Sequence, residues 1–257
     1  MRASTSPSSG IAFTWHVNSP DAFWRAYETQ VWPLLKTAHT QGEVHVVLPL
    51  SHSDLSLPNS AEKWNATAII VCSDEPVARE LARQLTDLMT QEPLSLHATL
   101  KAVDLFAPQK NVDMYYQARN GLKREPLIVQ WIEYVASVPE HRSEYYAASH
   151  DFVGPAMRRL HAKNCASRFV GFELTERLYR DKPQTPDWDM VHIAGFTRLQ
   201  LITVIPHFHR AFDDAAQAVW GAGAVGKEKM ASLEKMRTLA KDKARQHMRY
   251  TLQSPDL

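Results

Sequence analysis

Hydrophobic and polar positions in the N-terminal half of the chain alternate between strand-like runs and segments of helical periodicity. β-branched and aromatic residues are concentrated at 11–17, which predicts a strand. Ser19 and Pro20 then suit the N-cap and first turn of a helix, whose apolar residues recur every three or four positions. Further patterns complete the order βαββαβ. They predict strands at 43–50, 66–71 and 94–106 and a second helix at 78–89.

The C-terminal half repeats this order with longer connections. Segment 200–220 is ambiguous, because Leu201–Ile205 has strand propensity whereas 208–220 has helical periodicity. Glycines then interrupt the pattern before a strongly charged helix at 227–245 and a final strand at 247–252. The elements before this segment are predicted at 127–135 (strand), 143–163 (helix), 168–178 (strand) and 188–196 (strand).

Two stretches of sequence occur twice at nearly the same spacing. Residues 23–33 align with 145–155 at an offset of 122 residues, and residues 64–69 align with 188–193 at an offset of 124. Self-similarity at a fixed period is the mark of a repeated structural unit. The sequence therefore indicates an internal duplication.

The two copies differ at positions where chemistry would matter. His150 stands where the first copy has Glu28, and His192 stands where the first copy has Ala68. The fold itself does not demand these histidines, because the first copy lacks them. We therefore expect a functional site in the second half.

The predicted order also specifies an architecture. A βαββαβ unit is the ferredoxin-like motif, an antiparallel four-stranded sheet with both helices on one face. Two copies can close their uncovered faces into a barrel that encloses an apolar pocket, so we predict an α+β fold of tandem ferredoxin-like repeats. The expected organisation is a disordered N-terminus (1–10), a first repeat (11–107), a linker (108–126) and a second repeat (127–257).

The ends of the two aromatic helices resemble a known superfamily. Val31-Trp32-Pro33 and Val153-Gly154-Pro155, set in the duplicated βαββαβ order, are similar to the dimeric α+β barrel superfamily, and most of all to its EthD-like and RedY/HapK-like members. The resemblance covers nearly the whole chain and implies an intramolecular dimeric α+β barrel. It also implies a range of activities: cofactor-free polyketide cyclases, monooxygenases of quinol-like substrates, lactone isomerases and haem-dependent members.

One position departs from the EthD-type pattern, in which a histidine directly precedes the Gly-Pro pair. Val153 stands there, and His150 lies one helical turn earlier. We predict a catalytic group of His150 with Asp151 and Tyr146, because a neutral imidazole can accept a proton near neutral pH and a phenol can donate a hydrogen bond to an enolate. The alternative is a surface or capping histidine on a helix whose tyrosines belong to the core.

His192 is the second catalytic candidate and lies in an otherwise apolar predicted strand. Strand alternation places it on the same face as Met190 and Phe196. Burying an imidazole costs free energy unless it has a partner, so His192 either lines a cavity or is satisfied by a hydrogen bond. We expect the substrate to contact Trp131, Tyr134, Tyr145, Met190 and Phe196.

Patterns for a metal or a cofactor are weak. His207 and His209 have the spacing of a strand-borne pair, but no third ligand has suitable spacing and the segment continues as a helix. No sequence signature marks a haem site, and Gly221–Gly226 lacks the preceding strand of a nucleotide loop. The sequence therefore predicts no metal and no cofactor.

Composition limits the partners. The 29 basic residues nearly balance the 28 acidic ones, so no basic field indicates nucleic acid. No apolar run approaches the roughly 20 residues of a membrane span, and the polar N-terminus lacks the apolar core of a signal peptide. Cys72 and Cys165 are too few for a disulfide framework. We expect a cytoplasmic protein, a monomeric pseudo-dimer or a homodimer, that binds a small hydrophobic substrate.

The first functional hypothesis is a cofactor-independent cyclase, dehydratase or isomerase of natural-product biosynthesis. Such an enzyme would remove a proton next to a carbonyl inside the apolar barrel cavity. Two alternatives stay open: a non-catalytic ligand-binding or chaperone-like protein, and a cofactor-free monooxygenase.

Overall fold

The N-terminal half folds in the predicted βαββαβ order. The computed structural model describes residues 9–52, 66–108, 129–163, 165, 168–182, 188–221, 223–249 and 252–253. The elements of this half are β1 (Ser9–Val17), α1 (Pro20–Gln30), α2 (Trp32–Thr40), β2 (Val44–His52), β3 (Ala66–Cys72), α3 (Glu75–Met89), α4 (Leu94–His97) and β4 (Ala98–Pro108).

The C-terminal half repeats the order, with each helix divided into shorter pieces. Its first helical segment contains α5 (Arg142–Ala148), a π-helical turn (Ser149–Val153) and α6 (Gly154–Ala162). Its second contains α7 (Arg198–Thr203), α8 (Phe208–Trp220) and α9 (Ala224–Lys235). The strands are β5 (Val129–Ser137), β6 (Arg168–Arg180), β7 (Met190–Phe196) and β8 (Arg237–Met248), followed by the short β9 (Leu252–Gln253).

Eight of these strands form a closed antiparallel barrel. Within each half the strands lie in ferredoxin-like order, β4-β1-β3-β2 and β8-β5-β7-β6. The halves join where β4 pairs with β6 and where β8 pairs with β2. The predicted α+β fold of two ferredoxin-like repeats, closed into an intramolecular dimeric α+β barrel, is confirmed.

The barrel interior is filled by side chains from both halves. Alternate residues of β2, β3, β6 and β7 point inward, where the Phe106 and Phe172 rings lie 4.3 Å apart between centroids. The void that remains beside Phe172 and Trp188 measures about 20 Å³, room for about one water molecule. The expected apolar pocket inside the barrel is therefore closed among the described residues.

The helices cover the outer face of the barrel in both halves. In the first half Trp15 and Phe23 pack between β1 and the helices. In the second half Met190 of β7 packs against Trp220 of α8 and Leu233 of α9. Every helix within the described ranges is too short or too polar to span a lipid bilayer.

Three segments differ from the predicted elements. Leu94–His97 forms a short helix before β4 rather than the start of a strand. The ambiguous Leu201–Ile205 segment lies in α7 and the turn after it, because Thr197 and Gln200 form a reciprocal capping box that starts a helix. The predicted helix at 227–245 ends at Lys235, and the chain from Arg237 onward is β8. Pairing with β5 and β2 to close the barrel outweighs the helix propensity of these lysine, arginine and alanine residues.

Candidate functional site

His192 lies on the outer, helix-covered face of β7, not inside the barrel. Its neighbours Val191 and Ile193 face the interior, whereas Met190 packs against the helices. His192 is 5% exposed, and its Nε2 lies 3.4 Å from Ser149 Oγ. Burial lowers the pKa of His192 to about 3, and the positive charge of Arg237 adds to this effect. The imidazole is therefore neutral at physiological pH.

A π-helical turn places Ser149 above His192. The amide of Gly154 donates to the carbonyl of Ser149, five residues earlier. Pro155 has no amide hydrogen, so the ordinary helical bond at its position is absent and the helix widens before it. The single helix predicted at 143–163 is consequently two helices joined by this turn, and Ser149 and His150 leave it toward the sheet.

His150 forms a close pair with a carboxylate of the neighbouring strand. Its Nε2 lies 2.8 Å from Glu173 Oε1, and the two side chains are 26% and 23% exposed. Glu173 follows Phe172, which faces the barrel interior, so Glu173 faces the helices. A carboxylate bound to one ring nitrogen fixes the imidazole and leaves Nδ1 as the atom that can accept a proton from a ligand.

Tyr146 stands beside this pair as a hydrogen-bond donor. Its hydroxyl donates to the carbonyl of Asp189 at 3.2 Å. Burial raises the pKa of Tyr146, and the nearby carboxylates of Asp189 and Glu173 raise it further. The phenol therefore keeps its proton at any physiological pH.

Asp189 fixes the position of these elements. This carboxylate is 7% exposed and accepts hydrogen bonds from the Ser137 amide at 3.0 Å and from the Ser137 hydroxyl. Arg142 Nε of α5 lies 2.8 Å from Asp189 Oδ2, the oxygen that also accepts from the Ser137 hydroxyl. Asp189 thus ties β5, α5 and the start of β7 together beneath Tyr146.

Tyr145 and Met190 belong to the buried layer next to His192. Tyr145 is 1% exposed, and its hydroxyl accepts a hydrogen bond from Arg237 Nη1 at 3.3 Å. Met190 is fully buried and shares its hydrophobic cluster with Tyr145 and Trp220. Imidazole, phenol and guanidinium therefore lie together under the helices.

The remaining predicted site residues lie elsewhere or outside the description. Asp151 is exposed on the π-helical turn. Phe196 is buried at the far end of β7, edge-on to Phe208 at 5.5 Å. The backbones of Trp131 and Tyr134 pair with β7, but their side chains are outside the described residues.

Sequence reasoning brought out His150, His192, Tyr145 and Tyr146 but missed four polar partners. Glu173 becomes recognisable once the strand register is known. It lies opposite Met190, and the equivalent position in the first half is Ser51, which lies opposite Ala66. Arg237 was hidden by the wrong helix prediction at 227–245. The missed residues are Ser149, Glu173, Asp189 and Arg237.

A surface groove of about 660 Å³ lies on the first half, between α2 and α3. Its lining contains no histidine or tyrosine, and its ionisable side chains are those of Glu43 and Glu80. We place the candidate site in the second half, where the paired histidine and the tyrosines lie. The groove is lined by Leu34, Thr37, Ala38, Gln41, Glu43, Pro76, Val77, Glu80, Leu81 and Gln84.

The possible metal ligands among the described residues lie singly or in pairs. Within the described ranges, no three side chains of histidine, cysteine, aspartate or glutamate are grouped so that they could hold a metal ion. His207 is exposed, and the side chain of His209 lies outside the description. The arrangement of His150, Glu173 and Tyr146 by itself supports proton transfer and hydrogen bonding.

Comparison with known proteins shows similarity of fold. No family model matches the chain, and no curated protein matches it in sequence. A Lactobacillus acidophilus protein provisionally named a monooxygenase superimposes with a TM-score of 0.55 at 12% identity, covering 96% of this chain and 97% of its own. An anthrone oxidase-like protein gives 0.53 at 10% identity, covering 96% and 93%. Chlorite dismutase from Candidatus Nitrospira defluvii, solved in complex with imidazole, gives 0.52 at 12% identity, covering 98% and 92%.

These similarities extend over nearly the full length of each chain, and they agree with the strand order of the closed barrel. At such low identity they establish architecture and not reaction. The chain has a dimeric α+β barrel fold, with both halves of the barrel in one polypeptide.

Proposed function

We propose that this protein is an acid–base enzyme that removes a proton from carbon in a small, largely apolar molecule. His150 is the general base, Glu173 orients it, and Tyr146 donates a hydrogen bond to the oxygen on which negative charge develops. The single observation that carries the proposal is the 2.8 Å contact between His150 Nε2 and Glu173 Oε1 beside a phenol that stays protonated.

The asymmetry of the duplication supports this assignment. In the first half, the residues equivalent to His150 and Glu173 are Glu28 and Ser51 by alignment and strand register. The first half folds with the same topology without this pair. The pair is therefore not needed to build a ferredoxin-like unit, and catalysis gives a reason for its presence.

The proton-transfer step follows from the groups present. His150 Nδ1 takes a proton from a carbon next to a carbonyl, and the electron pair of the broken C–H bond becomes an enolate. The Tyr146 hydroxyl exchanges its hydrogen bond to the Asp189 carbonyl for one to the enolate oxygen, and Glu173 stabilises the imidazolium. Returning the proton to a different atom completes an isomerisation. Attack of the enolate on a second carbonyl, whose alkoxide oxygen takes the proton back from the His150 imidazolium, completes a cyclisation.

His192 has a different role in this scheme. Its pKa of about 3 makes it a poor base at neutral pH, because an efficient general base has a pKa near the working pH. We assign it to hold Ser149, and with it the π-helical turn that carries His150. The sequence offered both histidines as acid–base candidates, and the burial of His192 leads us to assign the base to His150.

A molecule with acidic C–H hydrogens at a single carbon tests the proposal. Anthrone suits this purpose, since its methylene hydrogens are acidic and one structural neighbour is described as anthrone oxidase-like. In deuterated buffer without oxygen, we expect the protein to speed exchange of these hydrogens, measured by NMR. His150→Gln should slow that exchange at least about a hundredfold, the usual contribution of a general base. Acceleration that is unchanged in the folded variant would rule out His150 as the base, and no acceleration by the wild-type protein with anthrone bound would indicate a non-catalytic binding protein.

Oxygen chemistry is the second candidate function. An enolate from the same deprotonation can reduce dioxygen, and anthrone plus one dioxygen gives anthraquinone plus one water. Two structural neighbours are provisionally named monooxygenases, which supports testing this reaction. Oxygen uptake that depends on both anthrone and His150 would favour a cofactor-free monooxygenase, whereas exchange without uptake favours a cyclase, dehydratase or isomerase.

The finer assignments belong to the same proposal. An EthD-like or RedY/HapK-like protein of natural-product biosynthesis, working without a cofactor in the cytoplasm, fits a site built from acid–base side chains in an apolar layer. The ligand side of that layer is provided by Phe152, Val153 and Phe212, which are partly buried around Trp220.

A further inference from the structure

Arg237 is a cation in the helix-covered layer of the second half that the acid–base pair does not use. It is partly buried at the start of β8, and its Nη1 donates to the hydroxyl of the buried Tyr145 at 3.3 Å. A guanidinium carries a permanent charge and five N–H donors. The phenol oxygen accepts one of these donors but supplies no negative charge.

The carboxylate held next to Arg237 is already engaged. Ser137 is the strand-pair partner of Arg237, and Ser137 holds Asp189 through its amide and hydroxyl. Asp189 in turn pairs with Arg142 at 2.8 Å. Among the residues that the structure describes, Arg237 forms no ion pair with a carboxylate. Partial removal of a cation from water costs free energy unless an anion compensates for it.

The surroundings of Arg237 suit a bound anion. The positive charge of Arg237 contributes to keeping His192 neutral, so this imidazole adds no second charge to the layer. A phenol that accepts a hydrogen bond from a cation becomes a stronger donor itself. Met190 is fully buried beside Tyr145, so the layer around this donor pair is apolar.

We propose that Arg237 and Tyr145 bind the anionic oxygen of the ligand. The substrate class would then be a small apolar molecule that carries a carboxylate or an acidic enol or phenol. This inference rests on the proposed function for the location of the site, but it makes a separate claim about binding. The planar guanidinium favours such a group because it can offer two parallel N–H donors to one anion.

Calorimetric titration with two matched probes tests this claim. Naphthalene-carboxylate and its neutral carboxamide have the same shape and differ in charge. We expect the wild-type protein to bind the carboxylate more tightly, and Arg237→Gln to weaken carboxylate binding at least about tenfold while leaving carboxamide binding unchanged. Arg159→Gln, at an exposed arginine of α6, is the matched control and should change neither affinity.

Two further variants keep the test decisive. Arg237→Lys retains the charge but loses the paired donors, so it should weaken carboxylate binding less than Arg237→Gln and serves if the glutamine variant does not fold. His150→Gln should keep carboxylate affinity while losing exchange of anthrone. Equal affinity of wild type for both probes, no carboxylate binding, or full carboxylate affinity in both Arg237 variants would overturn the inference. The last result, combined with loss of exchange in His150→Gln, would leave the proposed function standing.

Discussion

Single residues in the second half have protonation states that their burial dictates. His192 is neutral because its ring is enclosed by the π-helical turn and the sheet, and Tyr146 is protonated because it is half-buried among carboxylates. The partly exposed His150, paired with Glu173, keeps a route to solvent that proton exchange requires. Exposure to solvent thus distinguishes His150, which can transfer protons, from His192, which supports it.

The buried His192 should make the protein sensitive to acid. Its pKa is about 3 when folded and near 6.5 when unfolded, so the unfolded chain binds the extra proton and stability falls as pH drops below 6.5. Between pH 7 and pH 5, His192 should reduce the free energy of unfolding by about 2 kcal/mol. Urea unfolding of the wild type and of His192→Gln at both pH values checks this. Between pH 7 and pH 5 the free energy of unfolding should fall more in the wild type than in the variant. A difference that is independent of pH contradicts the burial argument.

Asp189 should be a structural residue with a measurable effect on stability. Asp189→Asn removes the charge that binds Arg142 and replaces one acceptor with a donor facing the Ser137 hydroxyl. We expect a loss of about 2 kcal/mol in the free energy of unfolding, measured with urea. Asp181→Asn disrupts the pair with Lys101, in which the carboxylate is more exposed than that of Asp189, and is the control, for which a clearly smaller loss is expected. Equal losses would remove the special role of Asp189.

Elements show what could be predicted from the sequence and what could not. Strand β3 was predicted almost to the residue, because its run is almost entirely apolar and every residue in it is buried. The π-helical turn was missed, since local periodicity cannot show where a widened turn relieves Pro155. Strand β8 was missed for a different reason: its polar composition has helix propensity, and long-range pairing with β5 and β2 decides its structure. The candidate site was accordingly predicted in the correct half, but without Glu173 and Arg237.

The connection between α8 and α9 depends on a close backbone contact. A Cβ at Gly226 would lie 2.6 Å from the carbonyl oxygen of Gly221, which cannot move cheaply. Replacing glycine by alanine in a helix normally stabilises it, so Gly226→Ala tests the contact by the sign of its effect. We expect a loss of about 1–3 kcal/mol, the usual cost of overpacking. Thermal unfolding, with Ser232→Ala at an exposed position of α9 as the control, measures it, and a gain in stability would show that the turn adapts.

At the scale of the whole molecule, closure of the barrel determines where a ligand can bind. The pairings of β4 with β6 and of β8 with β2 close the barrel, and among the described residues a void of about 20 Å³ remains beside Trp188. We locate the chemistry on the helix-covered face of the second half because that face carries the imidazoles, carboxylates and Arg237.

The central claim is that His150 and Glu173 act as one catalytic unit. The rate of anthrone hydrogen exchange in deuterated buffer should be measured for His150→Gln, Glu173→Gln and the double variant. The exposed pair of His141 and Glu144, 3.2 Å apart, provides matched controls through the same substitutions. The account predicts that the double variant is no slower than His150→Gln alone and that the control variants exchange at the wild-type rate. Independent, multiplying losses at the two positions, or wild-type exchange in His150→Gln, would contradict it.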